Sequence, residues 1–350
     1  MKKALTAVVL AICFTLVAAF ALADLEIRFL SAGQGDAILI GCDGVYAMID
    51  AGPVAYSNHL YSLIRKELKI SEINFILLTH PHDDHAGGIP AVLNSVPVGE
   101  IISPVLDWDS AVFSDIKRYA SRQGTPIEGA AEGDRLDLGS ATLDIIHSWP
   151  DAWDENDMSL VVRLQYNGFS AIFTGDAEAM SEYMILDSNR ELRSDLIKIG
   201  HHGSSSSSTK EFLQAVQPKY AVISCGTGND YGHPHQEVLD RLKSLRTETY
   251  RTDLQGTVVF HIDERGNISI RTDREAGPLD GIFTAPVIIS DINRAMSPDS
   301  DFVVNVKSGK FHLPDCDSVK DIYVQNRKEY TGTREDLIRM GYSPCHRCNP

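Results

Sequence analysis

Apolar runs of strand length alternate with longer segments of helical spacing through residues 25–272. Alternation at 25–30 predicts a strand, and the pair Asn167-Gly168 between two apolar runs predicts a hairpin. Residues 110–123 are predicted to form a helix that ends before Gly124. By the same reasoning we expect further strands at 37–40, 45–49, 75–79, 100–103, 141–146, 169–173, 196–199 and 220–224, and helices at 59–68, 89–93, 177–186 and 236–245.

The N-terminus has the pattern of a secretory signal peptide. Lys2 and Lys3 precede an apolar stretch at 5–20, and Ala21-Leu22-Ala23 offers a cleavage site before Asp24. The alternative is a membrane anchor, for which the apolar stretch is short. We therefore predict a signal peptide at 1–23, a secreted or surface-associated mature chain, and no stable membrane span after cleavage.

Length and charge limit the kind of protein. The 350 residues suffice for one large domain and a small one. A formal net charge of -16 argues against a broad basic surface for nucleic acid. It does not exclude a nuclease, because bound metal ions supply positive charge locally.

A cluster of histidines and aspartates follows the predicted strand 75–79. His80, His82, Asp84 and His85 have the spacing H-x-H-x-D-H. In an extended segment His80 and His82 lie on one face, and imidazole with carboxylate suits zinc, manganese or iron. The alternative is a polar surface turn. Three of the chain's 12 histidines fall within six residues, which favours a metal site.

This motif resembles the signature of the metallo-β-lactamase fold superfamily. Gly33-Gln34-Gly35-Asp36 and the segment Gly200-His201-His202-Gly203-Ser204 resemble motifs of one branch, the hydrolase domain of the ComEC family of competence proteins. The chain departs from that branch at Ser31-Ala32, where Asp-Val is usual. The resemblance covers residues 24–272 and implies an α/β (α+β) fold, the αββα sandwich.

The resemblance also implies two divalent metals, zinc in the first place and manganese as the alternative. The ligands of the first metal would include His80 and His82. Those of the second would be Asp84, His85 and one of two adjacent histidines, of which His201 is favoured over His202. Asp176, in a Gly-Asp pair after the strand 169–173, would bridge the metals; the alternative is a helix N-cap.

One ligand of the superfamily pattern is missing. A third histidine for the first metal normally lies between the H-x-H-x-D-H motif and the Gly-Asp pair. The candidates in this chain are His147, Asn156 and Asp157. We therefore expect the first metal site to be weaker, or to keep an open position for substrate.

Other polar residues are expected around the metals. Gly232-His233-Pro234-His235 resembles a turn of the same branch, so His233 and His235 are expected to contact a phosphate or the leaving group. The alternative is a capped loop with histidines facing solvent. Asp36 and Asp50 are candidates for orienting the ligand histidines.

The C-terminal region carries a second set of metal-ligand types. Residues 273–300 lack periodicity and are predicted to be a linker to a unit at 301–350, which includes a helix at 334–340. Cysteine pairs separated by two residues can be redox-active or disulfide-bonded. The full set here favours one structural zinc ion: His312, Cys316, Cys345 and Cys348. The unit resembles the Ada-type metal-binding module, with one histidine in place of a fourth cysteine.

The resemblance implies a secreted metal-dependent phosphodiesterase or nuclease that acts on extracellular DNA. Asp84, Asp176, His233 and His235 would carry catalysis with two metal ions that activate water. The alternatives are an esterase for a cell-wall phosphodiester such as teichoic acid or phosphorylcholine, a β-lactamase or other amide hydrolase, and a non-catalytic metal-binding surface protein. The oligomeric state is open.

Overall fold

The computed structural model describes residues 24–274, 300–305, 310–314, 316–332, 337, 342–345 and 348. The chain divides into two compact units between residues 283 and 284. The predicted signal peptide, residues 275–299 of the predicted linker and most of the predicted helix 334–340 lie outside the described residues. Among the described residues, no helix combines the length and the apolar character that a membrane span requires.

Two mixed sheets form the first unit. Among the described residues the first sheet has the order β15-β14-β1-β2-β3-β4-β5-β6, and the second the order β13-β12-β11-β10-β9-β8-β7. The strands are β1 Leu25–Phe29, β2 Ala37–Cys42, β3 Val45–Ala51, β4 Ile73–Leu77, β5 Val98–Ser103, β6 Ile127–Gly129, β7 Arg135–Leu138, β8 Ala141–His147, β9 Val161–Tyr166, β10 Phe169–Phe173, β11 Leu196–Lys198, β12 Tyr220–Ile223, β13 Glu248–Arg251, β14 Val258–Ile262 and β15 Ile268–Thr272.

Helices cover the outer face of each sheet. They are α1 Ser57–Ser62, extended by a π-helical turn Leu63–Glu67, α2 Asp83–Ala86, α3 Ile89–Ser95, α4 Ala111–Gln123, α5 Ala179–Asp187, α6 Lys210–Val216, α7 Gln236–Ser244 and α8 Thr252–Gln255. Helices α1, α3 and α4 pack on the first sheet, and α5, α6 and α7 on the second. This arrangement confirms the predicted αββα sandwich.

The main core lies between the sheets. Alternate residues of β1 face inward, and Phe29 packs against Phe173 of the second sheet with ring centroids 6.1 Å apart. Period-two alternation places one face of each strand in this layer. Short β10 and β11 are buried on both faces, between the other sheet and the helices, and therefore read as continuous apolar runs.

The second unit contains a small sheet with the order β18-β16-β17-β19 among the described residues. Its strands are β16 Ser300–Asn305, β17 Lys310–His312, β18 Arg327–Gly332 and β19 Ser343–Pro344. Short 3-10 helices lie at Asp317–Asp321 and Val324–Asn326. Phe302, Phe311 and Leu337 form a small apolar core. Such a core is too small to stabilise a unit of this size comfortably without a further constraint.

Candidate metal centres

Loops that follow strands of both sheets meet at one edge of the sandwich. β4 leads to His80, β10 leads to Asp176, and β11 leads to His201 and His202. A backbone hydrogen bond from Leu160 N–H to the Thr79 carbonyl (2.9 Å) joins the two sheets, and one from His201 N–H to the Gly175 carbonyl (3.2 Å) joins two loops of the second sheet. The sheet edges therefore hold side chains from distant sequence positions in a fixed arrangement.

Glycine is required at position 175 for two reasons. The backbone there has φ +51°, and a Cβ would lie 2.8 Å from Thr79 Cβ. Only glycine satisfies both the left-handed conformation and the close approach. The loop after β10 can therefore pack directly on the loop after β4, which places Asp176 beside the histidine motif.

Four side-chain atoms have the spacing of ligands around one ion. His202 Nε2 lies 3.3 Å from Asp84 Oδ2 and 3.2 Å from Asp176 Oδ2. His85 Nε2 lies 3.3 Å from Asp176 Oδ2, 3.9 Å from Asp84 Oδ2 and 3.3 Å from His202 Nε2. Tetrahedral zinc with ligands at about 2.0–2.1 Å has ligand–ligand edges of about 3.3–3.4 Å. This set, the aspartate–histidine cluster, fits a divalent ion.

A second pair of nitrogens converges beside this cluster. His80 Nε2 and His82 Nδ1 lie 2.9 Å apart, and the His80 and His85 rings have centroids 4.2 Å apart. The second carboxylate oxygen of Asp176, Oδ1, is buried and has no hydrogen-bond partner in the described part of the chain. A buried oxygen without a hydrogen-bond partner destabilises the folded protein unless an ion or a water molecule contacts it. The converging His80 and His82 nitrogens are candidate ligands of a second ion, whereas Oδ1 of Asp176 forms an ion pair with Lys198 Nζ at 3.5 Å.

Each of these four histidines is anchored through its other ring nitrogen. His82 Nε2 bonds Glu155 Oε2 (2.7 Å) and His85 Nδ1 bonds Asp50 Oδ2 (2.7 Å). His202 Nδ1 donates to a backbone carbonyl (2.9 Å), and His80 Nδ1 lies 3.1 Å from the hydroxyl of the preceding threonine. Metal-binding histidines characteristically donate their second nitrogen to such partners, which fixes the tautomer and the ring orientation. The remaining four nitrogens are thereby directed at the two candidate positions.

Charge compensation explains the pKa shifts of the cluster. Burial opposes charge on His85, but the carboxylates of Asp176 and Asp50 raise its pKa well above the usual range. Burial likewise opposes charge on His202, yet Asp176 and Asp84 raise its pKa to about 9. The aspartates therefore create a position for positive charge, which protons fill when no metal is present.

A buried lysine, Lys198, contacts both Asp36 and Asp176. Lys198 is fully buried and forms an ion pair with Asp36 Oδ2, donates to the Gly175 carbonyl (2.8 Å), and lies 3.5 Å from Asp176 Oδ1. Burial opposes its charge, but Asp36 and Asp176 raise its pKa. Sequence reasoning gave Lys198 no role, although a lysine inside the apolar strand β11 was a usable signal.

Asp36 is close to the cluster but on its outer side. Asp36, His85, Asp176 and His202 each have a ligand atom within 4.8 Å of the others. However, Asp36 faces the Nδ1 atoms of His85 (4.0 Å) and His202 (3.6 Å), whereas Asp84 faces their Nε2 atoms. This geometry favours Asp84 as a ligand and Asp36 as an outer partner.

The geometry favours His202 over His201, the reverse of the sequence-based preference. His202 is buried within the cluster, whereas His201 bonds Glu178 Oε1 through Nδ1 (3.0 Å) and lies 3.9 Å from Asp176 Oδ2. Both residues have left-handed backbones, with φ values of +54° and +46°. The sequence does not reveal which of the two rings this left-handed turn directs into the cluster. Left-handed backbone at residues other than glycine is strained, and such strain is common at functional sites.

Asp176 does not act as the helix cap that the sequence offered as an alternative. Helix α5 begins at Ala179, with Glu178 at the N-cap position. Asp157 satisfies two donors at its start, with Oδ1 accepting from Glu178 N–H (3.0 Å) and Ser181 N–H (3.4 Å). Asp176 is therefore available to the cluster.

A cavity of about 170 Å³ opens onto the cluster. Its walls include His201 and His233, and Tyr231 stacks on His233 with centroids 5.6 Å apart. Burial, assisted by neighbouring histidines, lowers the pKa of His233 to about 3, which keeps the ring neutral. His235 lies outside the cavity walls and contacts the serine loop, residues 204–208, with Nδ1 accepting from Ser205 N–H (2.9 Å). His233 thus faces the cavity, whereas His235 is engaged in hydrogen bonds with a neighbouring loop.

The predicted cysteine–histidine set is brought together in the second unit. His312, Cys316, Cys345 and Cys348 each have a ligand atom within 4.8 Å of the others. None of the described cysteines forms a disulfide, and burial raises the pKa of Cys348 to about 12. A thiolate there requires a cation, and an N–H donor from Leu313 lies 3.4 Å from Cys348 Sγ. The donor set fits a tetrahedral structural ion. Cys42 and Cys225 are buried free thiols in the first unit.

Comparisons with known proteins agree with this fold. The profile of the Metallo-beta-lactamase superfamily matches residues 30–227. ComE operon protein 3 of Bacillus subtilis is 31% identical over 264 residues, 70% of this chain and 34% of that protein. Competence protein ComA of Neisseria gonorrhoeae is 28% identical over 236 residues, 67% of this chain and 32% of that protein. The match thus spans about a third of each relative.

Among solved structures, the metallo-beta-lactamase fold protein YhfI from Bacillus subtilis is similar. It covers 71% of this chain and 100% of its own, with 11% identity and a TM-score of 0.46. The family assignment rests on the profile, which matches more than half of the chain, and not on this structural likeness. The chain belongs to the metallo-beta-lactamase superfamily and is similar to the ComEC-like competence proteins.

Proposed function

We propose that this chain is a secreted, metal-dependent phosphodiesterase whose substrate is DNA outside the cell. The observation that carries the proposal is the convergence of four anchored histidine nitrogens and two carboxylates beside one cavity. His80 and His82 would hold the first ion; Asp84, His85 and His202 would hold the second. Asp176 would be shared between them.

Two divalent ions at these positions would activate water and stabilise negative charge on a phosphoryl group. The residues of the chain supply orientation and proton transfer. Glu155 and Asp50 fix the tautomers of His82 and His85. Because His201 donates Nδ1–H to Glu178, its Nε2 can accept a proton within the cavity. Lys198 keeps Asp176 in place without occupying the cluster.

His233 is proposed to contact the phosphate or the leaving oxygen. The ring is one-tenth exposed or less and lines the cavity, where Tyr231 covers one of its faces. His235 does not share this role, because the backbone of the serine loop already engages its Nδ1. We therefore place His201 and His233 as the substrate-facing pair.

DNA as substrate is supported by relatives named for competence and recombination. Besides the two proteins above, Recombination protein 2 of Haemophilus influenzae is 28% identical over 239 residues, 67% of this chain and 28% of that protein. The proposed extracellular location follows from the leader pattern at 1–23.

One observation favours a smaller substrate at the same site. The net charge of -16 opposes the approach of a long polyanion, and the cavity of about 170 Å³ is small. An esterase for a cell-wall phosphodiester is therefore the second candidate.

The test uses the chain from Asp24 onward, with zinc or manganese. Linear DNA and bis-p-nitrophenyl phosphate are incubated with wild type, Asp84→Ala and Asp176→Ala. Asp83→Ala, which removes the exposed neighbouring carboxylate, is the matched control. We expect both substrates to be cleaved by wild type and the control and by neither cluster variant.

The outcomes separate the candidates. Cleavage of the small diester alone would favour the esterase. Cleavage of DNA that declines steeply as salt rises would support contact with the polyanion. Activity that is indifferent to both Asp84→Ala and Asp176→Ala would refute the enzyme mechanism. Metal binding without cleavage of either substrate would favour the non-catalytic protein.

A further inference from the structure

The turn before β9 supports the candidate metal centres from one side. This turn, residues 155–159, includes the short 3-10 helix Asn156–Met158. Glu155 bonds His82, and Ser159 Oγ accepts from Asp176 N–H (2.9 Å) and lies 3.4 Å from His80 Nδ1. The turn therefore contacts both members of the first histidine pair and the shared aspartate.

Asn156 is the residue of this turn whose side chain is directed at the site. It lines the cavity together with His82, Asp84 and Asp176. Its Oδ1 is buried and has no hydrogen-bond partner in the described part of the chain. A buried amide oxygen without a partner destabilises the folded protein, and coordination of an ion would offset that cost.

We infer that Asn156 supplies the third protein ligand of the first metal site through this amide oxygen. The inference rests on the two metal sites proposed above and assigns the ligand that the superfamily pattern leaves missing. The first site would then contain two imidazole nitrogens and a neutral oxygen, with Asp176 shared.

The two rival residues are directed elsewhere. Asp157 caps helix α5, with Oδ1 accepting from Glu178 N–H and Ser181 N–H. His147 ends β8 and pairs with Val161 in the sheet, and it is absent from the residues that line the cavity. Its Nε2 is also buried without a hydrogen-bond partner among the described residues. His147 is therefore the rival that an experiment must exclude.

An amide oxygen changes the properties of the first site. A neutral oxygen is a harder ligand than imidazole and favours manganese relative to zinc. The second site has two imidazoles and two carboxylates within ligand spacing. We therefore expect the second site to fill first and the first site to bind more weakly.

The test is a metal titration and does not depend on turnover. The metal-free chain is titrated with Mn²⁺, and the EPR signal of the free aqua ion reports the unbound fraction. Manganese is suitable because the thiolates of the second unit favour softer ions. Wild type is compared with Asn156→Leu, Asn156→His and the rival variant His147→Ala, and Asp84→Ala identifies the second site. Thermal unfolding of each metal-free variant verifies folding.

We expect wild type to bind two ions with different affinities. Asn156→Leu should lower the affinity of the weaker Mn²⁺ site by at least about ten-fold. Ten-fold is the lower bound because removing even a non-ligating partner of a metal ligand costs that much. Asn156→His should tighten zinc at that step relative to manganese, and it tests the inference even if Asn156→Leu does not fold. His147→Ala should bind like wild type.

Two results would overturn the inference while leaving the metal sites intact: unchanged binding of two ions by both Asn156 variants, or loss of the weaker step in His147→Ala. Failure of wild type to bind two ions would overturn the inference together with the metal sites on which the proposed function rests. Wild-type binding with loss in Asn156→Leu, but no cleavage of any diester, would support the inference and contradict the proposed function alone.

Discussion

Replacing Asp50 with asparagine tests whether outer hydrogen bonds control the second metal site. Asp50 is fully buried. Its Oδ1 accepts from Thr79 N–H (2.8 Å), and its Oδ2 accepts from Thr79 Oγ1 (2.7 Å) and faces His85 Nδ1 at 2.7 Å. Asp50→Asn keeps one oxygen for the Thr79 N–H and places an NH₂ group against His85 Nδ1.

An NH₂ group at that position reverses the tautomer of His85. Nδ1 must then accept a hydrogen bond, so the proton moves to Nε2. Nε2 is the nitrogen that lies 3.3 Å from Asp176 Oδ2 and points at the metal position. A protonated nitrogen cannot bind a metal. Loss of such an outer partner typically costs about 10–100-fold in metal affinity, which corresponds to about 1.4–2.7 kcal/mol.

The assay is the Mn²⁺ titration of the full chain, with Asp50→Asn beside the exposed control Asp137→Asn on β7. We expect the tighter step to weaken by about 10–100-fold in Asp50→Asn and not in the control. Cleavage of bis-p-nitrophenyl phosphate should fall at limiting metal and recover partly at high metal. Wild-type affinity in a folded Asp50→Asn would refute the proposed control of His85 by Asp50.

Three further changes probe separate parts of the molecule. Lys198→Met leaves buried Asp36 and Asp176 without their cation and should destabilise the first unit by about 3–5 kcal/mol in urea unfolding. The exposed control Lys117→Met should have little effect. Equal stability of Lys198→Met and wild type would contradict the ion-pair argument. Cys345→Ser should unfold the second unit but leave diester cleavage unchanged, as measured by limited proteolysis beside activity. A protease-resistant second unit in this variant would contradict a structural ion. Burial raises the pKa of Glu182 to about 7. Between pH 4.5 and 7 the folded state therefore binds one more proton than the unfolded state. The free energy of unfolding falls by roughly 3 kcal/mol as the pH rises through that window. Glu182→Gln should remove this pH dependence in urea unfolding at pH 5 and 8, whereas the exposed control Glu237→Gln should retain it. Identical pH profiles for wild type and both variants would contradict a raised pKa.

The sequence was most informative where one physical property dominated a segment. Apolar periodicity predicted many strands and helices of the first unit to within a few residues, because each element must bury one face. It missed β6, β13, β15 and helix α6. The Asn167-Gly168 hairpin joins β9 and β10, as its turn chemistry predicted. The cysteine–histidine set of the second unit was also predicted from residue type and number, and the structure brings all four members within 4.8 Å.

Residues whose roles depend on direction were harder to predict. His201 and His202 are adjacent and chemically identical, and the choice depends on φ values of +46° and +54° in a turn that no local pattern specifies. His233 and His235 also look equivalent in sequence, yet one lines the cavity and the other bonds the serine loop.

The chain alone determined much of the element order, the motif that begins with His80 and the residue types available as candidate metal ligands. Only the tertiary structure decided which oxygen and nitrogen atoms converge. Lys198 lies in β11, and Glu155 and Asn156 lie in the turn before β9; no local spacing relates either position to the histidine motif. Their roles arise because two sheets pack face to face and their loops meet at one edge. Local sequence fixes periodicity, whereas the direction of a buried polar side chain depends on which distant group can satisfy it.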